Sequence, residues 1–438
     1  MDNDKEIDIL DRFKNGYDVV VDGEKAFRNP QVTRAEKKLH CLRATREHLF
    51  WGQVGKMKPC SECKGVEWGD WKAYDKLISD IQNKKQVPEC VSCWTNEKNG
   101  RKSYRTMGNK MWATPGVGNS HTEIIYNNNC DAACLYCTPR HSSRIAKEFS
   151  ETKHKVPKII NSESALDTLP DNLLEVTLEH VKRVAEDYNQ LACIGVYGGE
   201  PSKDIIEEDH VGEILRTFYK YNKMWSRTVR YDFNSHFNFS KERAEQLLKY
   251  FKKYQEQYPF VTFVIQPSIE CMGKFHNFTR YGTEWTTVER NLDYFLKNSS
   301  LEIELNAHIN NVSLKNLPQF IEHMNNKCKS IRRFSIEVDY VNYPVEFSTR
   351  LLDKTFMKYV NDVWYYLENN KPYFINIDDM VVRLKELTVA IDDFPDDAKK
   401  NFAANALTMY EYFKKERGID ILEVNPELYY YFKMLNIS

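Results

Sequence analysis

The chain is predicted to be an α/β protein: a partial (β/α)6 TIM-like barrel, with a small Cys-rich α+β domain before it and a helical extension after it. Three observations predict this. Six apolar runs of strand length, at 123–126, 192–197, 229–233, 261–266, 303–308 and 333–338, alternate with segments of helical periodicity. Such alternation favours a parallel sheet, and six strands fall short of the eight that close a full barrel. Eight of the eleven cysteines fall between Cys41 and Cys137, and residues 350–438 are rich in Tyr and Leu with a helical pattern.

Taken in order, residues 1–40 are a polar N-terminal extension without a chemical signal. Residues 41–112 hold five cysteines, five tryptophans and a helix-like stretch at 71–81. Pro115-Gly116-Val117-Gly118-Asn119 has linker or turn composition. The barrel spans 117–349. One of its helices starts behind Asp171 as a cap, with Leu174, Leu178, Val181 and Ala185 on one face. Another starts at Ser240, with Ala244, Leu247, Leu248 and Phe251 at steps of three and four, and a third follows Ser313 with Leu314, Leu317, Ile321 and Met324. Residues 350–438 form the helical C-terminal region, and no repeat of 20–50 residues is found.

The bulk composition narrows the function. With 438 residues, 42% hydrophobic and 29% charged, the chain is long enough for two or three domains of ordinary globular type. Its net charge of −1 gives no global field toward nucleic acid, membrane or acidic partners. The locally basic run Arg101-Lys102, Arg105, Lys110 reads as a solvated face. An odd cysteine count clustered in one part of the chain fits metal binding in a reducing compartment better than secretion. The start Met1-Asp2-Asn3-Asp4 is unlike a signal peptide, and no stretch approaches 18 uninterrupted apolar residues. The expectation is a cytoplasmic protein with no membrane segment.

Directly after the first strand stands Asn129-Cys130-Asp131-Ala132-Ala133-Cys134-Leu135-Tyr136-Cys137. Cys-x3-Cys-x2-Cys makes a poor disulfide frame and an incomplete zinc site. Three thiolates from one tight loop can instead hold three corners of a [4Fe–4S] cluster and leave one iron open to a small molecule. This spacing, with the aromatic Tyr136 before the third cysteine, resembles the cluster loop of the radical S-adenosylmethionine enzymes.

Further motifs follow on successive strand ends, where a β/α barrel carries its chemistry. Gly198-Gly199-Glu200-Pro201 ends the second strand and looks like the family motif that receives the amino group of the methionine moiety. Two glycines permit close backbone approach, and the carboxylate can accept from an ammonium group. Asn234-Ser235 ends the third strand and resembles an Asn-containing strand end near the cofactor; an ordinary Asn cap for the next turn is an equal alternative. Gln266-Pro267-Ser268-Ile269-Glu270, then His276 and Arg280-Tyr281-Gly282, resembles the serine-bearing fourth strand and His…Arg-x-Gly stretch of peptide-modifying members. Glu270-Cys271 departs from that pattern, which often has Asp-Gly. His308-Ile309-Asn310-Asn311 is a loose match at the fifth strand. The resemblance covers about residues 120–345. It implies that Cys130, Cys134 and Cys137 hold the cluster, while Tyr136, Gly198, Gly199, Glu200, Asn234, Ser268 and Arg280 bind S-adenosylmethionine.

A second cysteine set precedes the barrel. Cys41, Gly55, Cys60 and the pair Cys90/Cys93 look like a twitch domain, a half-sized relative of the SPASM domain that binds an auxiliary [4Fe–4S] cluster. On that resemblance Cys41, Cys60, Cys90 and Cys93 are ligands and Cys63 is spare or an alternative, although such domains more usually follow the barrel. The rival is a zinc ribbon made of Cys60-x2-Cys63 and Cys90-x2-Cys93. The spacing that also accounts for Cys41 and Gly55 favours the auxiliary cluster.

The family's chemistry is reductive cleavage of S-adenosylmethionine to a 5′-deoxyadenosyl radical, which abstracts a hydrogen atom from substrate. The resemblance implies an electron donor such as flavodoxin or ferredoxin, and a peptide, protein side chain or small metabolite as substrate. The alternative is a zinc-ribbon protein that binds or modifies nucleic acid. The Tyr- and Phe-rich tail (Tyr410, Tyr412, Phe413, Tyr429, Tyr430, Tyr431) lacks the basic interleaving such binding needs, so nucleic acid is not favoured. Cys193, Cys271 and Cys328 read as buried or spectator thiols.

Overall fold

A computed structural model describes residues 41, 44, 47–51, 56–60, 63–67, 69–98, 103, 105, 106, 109, 120–125, 128–139, 141–157, 173–187, 191–221, 229–329, 331 and 333–437. The N-terminal extension, Gly55, the 115–119 linker, Arg101, Lys102 and Lys110 lie outside these described residues.

The Cys-rich segment contributes β1 (Glu47–Trp51), β2 (Lys56–Lys58), β3 (Val66–Glu67), α1 (Trp71–Gln82) and α2 (Val91–Lys98). Then come β4 (Ser120–Ile125), β5 (Ala133–Cys134), α3 (Ser143–Glu151), α4 (Leu173–Asp187), β6 (Leu191–Tyr197), α5 (His210–Tyr221), β7 (Val229–Ser235), α6 (Lys241–Gln257), β8 (Val261–Pro267), α7 (Lys274–Thr279) and β9 (Arg280–Tyr281). Next are α8 (Trp285–Asn298), β10 (Glu302–Ile309), α9 (Leu317–Lys327) and β11 (Phe334–Tyr340). The helical C-terminal region consists of α10 (Met357–Asn369), α11 (Ile377–Ala390), α12 (Asp396–Arg417), α13 (Ile421–Val424) and α14 (Pro426–Ile437).

All six strands read from the sequence are present, as β4, β6, β7, β8, β10 and β11, and each pairs in parallel with the next. The protein is therefore α/β, with these six strands parallel within one sheet and many covering helices. One feature lay outside the expectation. Strand β1, from the segment read as a separate Cys-rich domain, pairs in parallel with β4, and β2 and β3 add antiparallel at the edge. The sheet has nine strands in the order β11-β10-β8-β7-β6-β4-β1-β2-β3.

The helices form where the apolar spacing asks for them. Ser240 caps α6 by accepting from the Arg243 amide, and Ala244, Leu247, Leu248 and Phe251 are buried on one face. Asp70 caps α1 in the same way, accepting from the Ala73 amide at 2.9 Å, and Tyr74, Leu77, Ile78 and Ile81 are buried. One face of the sheet is apolar: Ile194, Val196, Tyr231, Phe233, Phe263, Ile265, Ile303, Leu305, Phe334 and Ile336 are buried. Each such side chain contributes about 1.5–3 kcal/mol on burial, so helix cover fixes which face is hidden. The opposite face is polar and half-buried, as the alternation along β10 shows. Among the described residues, no helix is long and apolar enough to cross a membrane.

Candidate metal centre

The loop after β4 is held from several sides. The Cys130 amide donates to Ser143 Oγ at 3.1 Å, and the Arg144 amide donates to the Cys130 carbonyl at 3.3 Å. Ser142 caps α3 and donates its hydroxyl to the Ala132 carbonyl at 2.7 Å. Cys134 lies in β5, which pairs antiparallel with β9 so that Cys134 stands opposite Arg280. Arg417, at the end of α12, donates from Nη1 to the Ala133 carbonyl at 2.9 Å. The loop backbone is thus tied down from several sides, and the three cysteine side chains lie close enough for their charges to act on one another. Burial pushes the Cys130 thiol up, as do the nearby charges of Cys134 and Glu200. Burial raises Cys134 too, with Arg280 opposing, and brings Cys137 up to about 12. Three half-buried thiols on one short loop are a soft donor set, and loading a metal there means displacing their protons.

Glu200 sits at the end of β6, behind Gly198 (φ 83°) and Gly199 (φ 58°), left-handed positions that glycine adopts without strain. Its amide donates to the Asn129 carbonyl at 2.7 Å, which ties this turn to the cysteine loop. The carboxylate is 1% exposed. It accepts from the Ser202 amide at 3.1 Å, the Ser235 hydroxyl at 2.7 Å and the His236 amide at 2.7 Å. A carboxylate offers about four lone-pair sites, so one remains for an ammonium donor. The oxygen expected to receive an amino group is thus largely engaged inside the protein.

Asp131 and His236 were not anticipated from motif or spacing. His236 Nδ1 accepts from the Asn238 amide at 3.0 Å, so Nε2 carries the proton and donates to Asp131 Oδ1 at 2.7 Å. Burial alone raises the Asp131 carboxyl, but the His236 hydrogen bond, with the charge of Lys203 nearby, outweighs it and holds it down to about 2. Ligand atoms of Cys130, Asp131 and His236 lie within 4.8 Å of one another. The only available signal was position: Asp131 follows a loop cysteine, and His236 follows Asn234-Ser235.

Two residues assigned separately to the cofactor meet directly: Ser268 Oγ donates to Asn234 Oδ1 at 2.8 Å. Arg280 makes a buried network. Its Nε donates to Glu270 Oε2 at 2.8 Å, its Nη2 to the Tyr136 hydroxyl at 2.7 Å, and its Nη1 approaches Cys134 Sγ at 3.8 Å. Tyr136 in turn donates to Glu270 Oε1 at 3.1 Å. Glu270, read as a departure from the motif, is the internal counter-ion of Arg280, whose fork therefore already holds a carboxylate. The Tyr136 ring also lies edge-on to His308, with centroids 6.4 Å apart.

The His…Arg-x-Gly stretch has a structural role for each member. The Thr283 hydroxyl donates to the Arg280 carbonyl at 2.8 Å, so it accepts from His276 Nε2 at 3.0 Å. Gly282 has φ +96°, and a Cβ there would lie 2.7 Å from the Asp131 carbonyl oxygen and closer still to Arg144 Nη1. Gly282→Ala should therefore cost about 1–3 kcal/mol and lower iron uptake by displacing the loop. Denaturant midpoints and iron analysis of the reconstituted variant check this; an unaltered iron content would contradict it.

His276 is fully buried, and burial brings its imidazole down to about 3 from a usual 6.5. The unfolded chain binds this proton more readily, so the contribution is complete above pH 6.5 and is lost as pH falls toward 3. At pH 5 the loss from this group is about 2 kcal/mol. Burial brings His180 down to about 4, which acts in the same direction. His276→Gln should shrink the difference in unfolding free energy between pH 7.5 and 5.0 by about 2 kcal/mol, read from denaturant curves. An unchanged difference would rule out a buried neutral imidazole.

The N-terminal cysteines also gather. Cys41, Cys60 and Cys63 share a small buried cluster with Ala44, Leu77, Ile81 and Val87, and Cys90 packs against it. Cys63 Sγ and Cys90 Sγ are 3.8 Å apart, and the Cys90 thiol is pushed up by its contact with Cys63, by burial, and by the charges of Cys60 and Cys41. Cys93 is buried three residues further on, in α2. Cys63, taken as spare from the spacing, is thus inside the thiol cluster.

Comparison with protein-family models gives no match for this chain, and comparison with curated proteins gives none either.

Proposed function

We propose that the chain is a radical S-adenosylmethionine enzyme built on a partial (β/α)6 barrel. The observation that carries this is the common location of the Cys130/Cys134/Cys137 loop, the Gly198-Gly199-Glu200 turn, the Asn234–Ser268 pair and Arg280. All stand at or beside the C-terminal ends of consecutive parallel strands, where such folds place chemistry. The donor set fits a [4Fe–4S] cluster: three thiols on one loop, with an N–H of Arg280 directed at one sulfur. When bound, the cluster supplies the electron that cleaves the carbon–sulfur bond of S-adenosylmethionine and frees a hydrogen-abstracting radical. The chain's own residues supply position. Glu200 retains one acceptor site for an amino group, Ser268 and Asn234 present polar atoms beside it, and Tyr136 closes the side near His308. The test is anaerobic reconstitution with dithionite and S-adenosylmethionine, followed by chromatography for 5′-deoxyadenosine. Its formation supports the proposal; no product, together with nucleic-acid affinity that falls steeply with salt, supports the alternative.

The N-terminal thiols form a second metal site, and two identities are supported by different observations. The spacing around Cys41 and Gly55 supports an auxiliary [4Fe–4S] cluster. The 3.8 Å separation of Cys63 and Cys90 supports zinc, because four thiolates about 2.3 Å from one zinc ion lie about 3.8 Å apart. Metal analysis separates them: about eight irons per chain for the first, about four irons and one zinc for the second.

A further inference from the structure

The polar face of the sheet carries a charge pattern that no motif anticipated. Asp232 on β7, Glu304 on β10, and Glu337 and Asp339 on β11 alternate with the buried apolar positions of their strands. Arg230 is the one strand cation beside them among the described residues. It donates to Asp232 Oδ1 at 2.5 Å and to Glu304 Oε1 at 2.6 Å, so its charge is consumed inside the network. Glu337 is exposed and has no ion-pair partner among the described residues; desolvation of its carboxyl and the negative charges of Glu304 and Asp339 push it up, against the opposing charges of Arg383 on α11 and of Arg230.

A second observation is independent of the carboxylates. Gln266 is 3% exposed and directs its amide to the same place, donating from Nε2 to Glu304 Oε1 at 2.8 Å. Its Oε1 is buried and has no hydrogen-bond partner. A buried acceptor left unpaired is unfavourable, so this oxygen calls for a donor. The Glu304 carboxylate beside it only accepts, and the Arg230 fork is taken up by Asp232 and Glu304.

The face is also concave. The Tyr136 ring, on the loop after β4, meets the His308 ring on β10 with centroids 6.4 Å apart, although β10 lies four strands from β4. In a flat sheet that separation is about 19 Å, so curling brings these groups together. The hollow adjoins the cysteine loop, since His308 stands opposite Asp339 across β10 and β11 and its ring meets Tyr136.

We propose that this hollow receives a cationic group of the substrate, an alkylammonium or guanidinium as on a lysine or arginine side chain, between Glu337, Asp339 and the Gln266 oxygen. That the bound cation belongs to a substrate rests on the radical-enzyme proposal. Binding itself does not.

The test is calorimetry on the full, anaerobically prepared chain, with and without S-adenosylmethionine. The probes are N-acetyl-arginine amide, N-acetyl-lysine amide and the neutral N-acetyl-norleucine amide. A cationic probe should bind at least about tenfold more tightly than the neutral one, and Glu337→Gln should weaken it about tenfold. Asp339→Asn provides the second variant should the first fold poorly, and melting curves check both. Equal binding of charged and neutral probes, no binding of any probe, or affinity unchanged by the substitutions would overturn the site. Iron content and 5′-deoxyadenosine formation decide the parent proposal separately. A chain that binds the cation but takes up no iron would keep the site and lose the radical chemistry.

Discussion

Cys134→Ala should abolish 5′-deoxyadenosine formation and remove about four irons per reconstituted chain. Cys134 is the middle thiol of the loop, fixed by β5–β9 pairing and approached by Arg280 Nη1 at 3.8 Å. With one ligand of three removed, a cubane would rest on two thiolates, and no other described thiol is placed to replace the third. Cys271 is buried against Thr279, and Cys193 donates to Asp232. The fold itself should survive, because Ala133 and Cys134 pair with β9 through backbone groups and alanine keeps them. Iron analysis, circular dichroism and product chromatography on one preparation separate the two effects. Product formation near the parent level would remove Cys134 from the metal centre.

Arg280→Ala should produce the largest loss of stability of any substitution near the site, about 3–5 kcal/mol, because it strands a buried carboxylate. Glu270 is 0% exposed, and both of its oxygens are bonded within the Arg280–Tyr136 network. Removing the guanidinium leaves Glu270 to take up a proton or draw in water, and Tyr136 loses the donor that fixes its hydroxyl. Arg280→Met combined with Glu270→Leu should recover most of the loss, since an ion pair replaced by apolar groups of similar size leaves no stranded charge. Denaturant unfolding of the single and double variants measures the difference. Equal stability of the single variant and the parent would show that the pair is solvated. The double variant should still load iron poorly, because the N–H directed at the Cys134 sulfur is gone.

The strands and the cysteine loop were legible because their signals are local. Apolar runs such as 229–233 and 303–308 carry their own periodicity, and Cys130, Cys134 and Cys137 lie within eight residues. The supporting contacts were not legible because they join distant parts of the chain. Asp131 and His236 are 105 residues apart and meet only because β4 and β7 flank β6. Glu270 looked like a motif defect until β9 brought Arg280 against it. Cys63 looked spare because spacing alone does not say which thiols converge. The pairing of β1 with β4 was not foreseen, because a short polar-flanked run such as Glu47–Trp51 gives little sign of a partner some seventy residues on.

The central claim, that three thiols of one loop hold a cluster with an open iron, is tested most directly by electron paramagnetic resonance of the oxygen-protected, dithionite-reduced chain. The account predicts a [4Fe–4S]+ signal whose g-values move when S-adenosylmethionine is added. A chain that yields no such signal, or one indifferent to that compound, would contradict it.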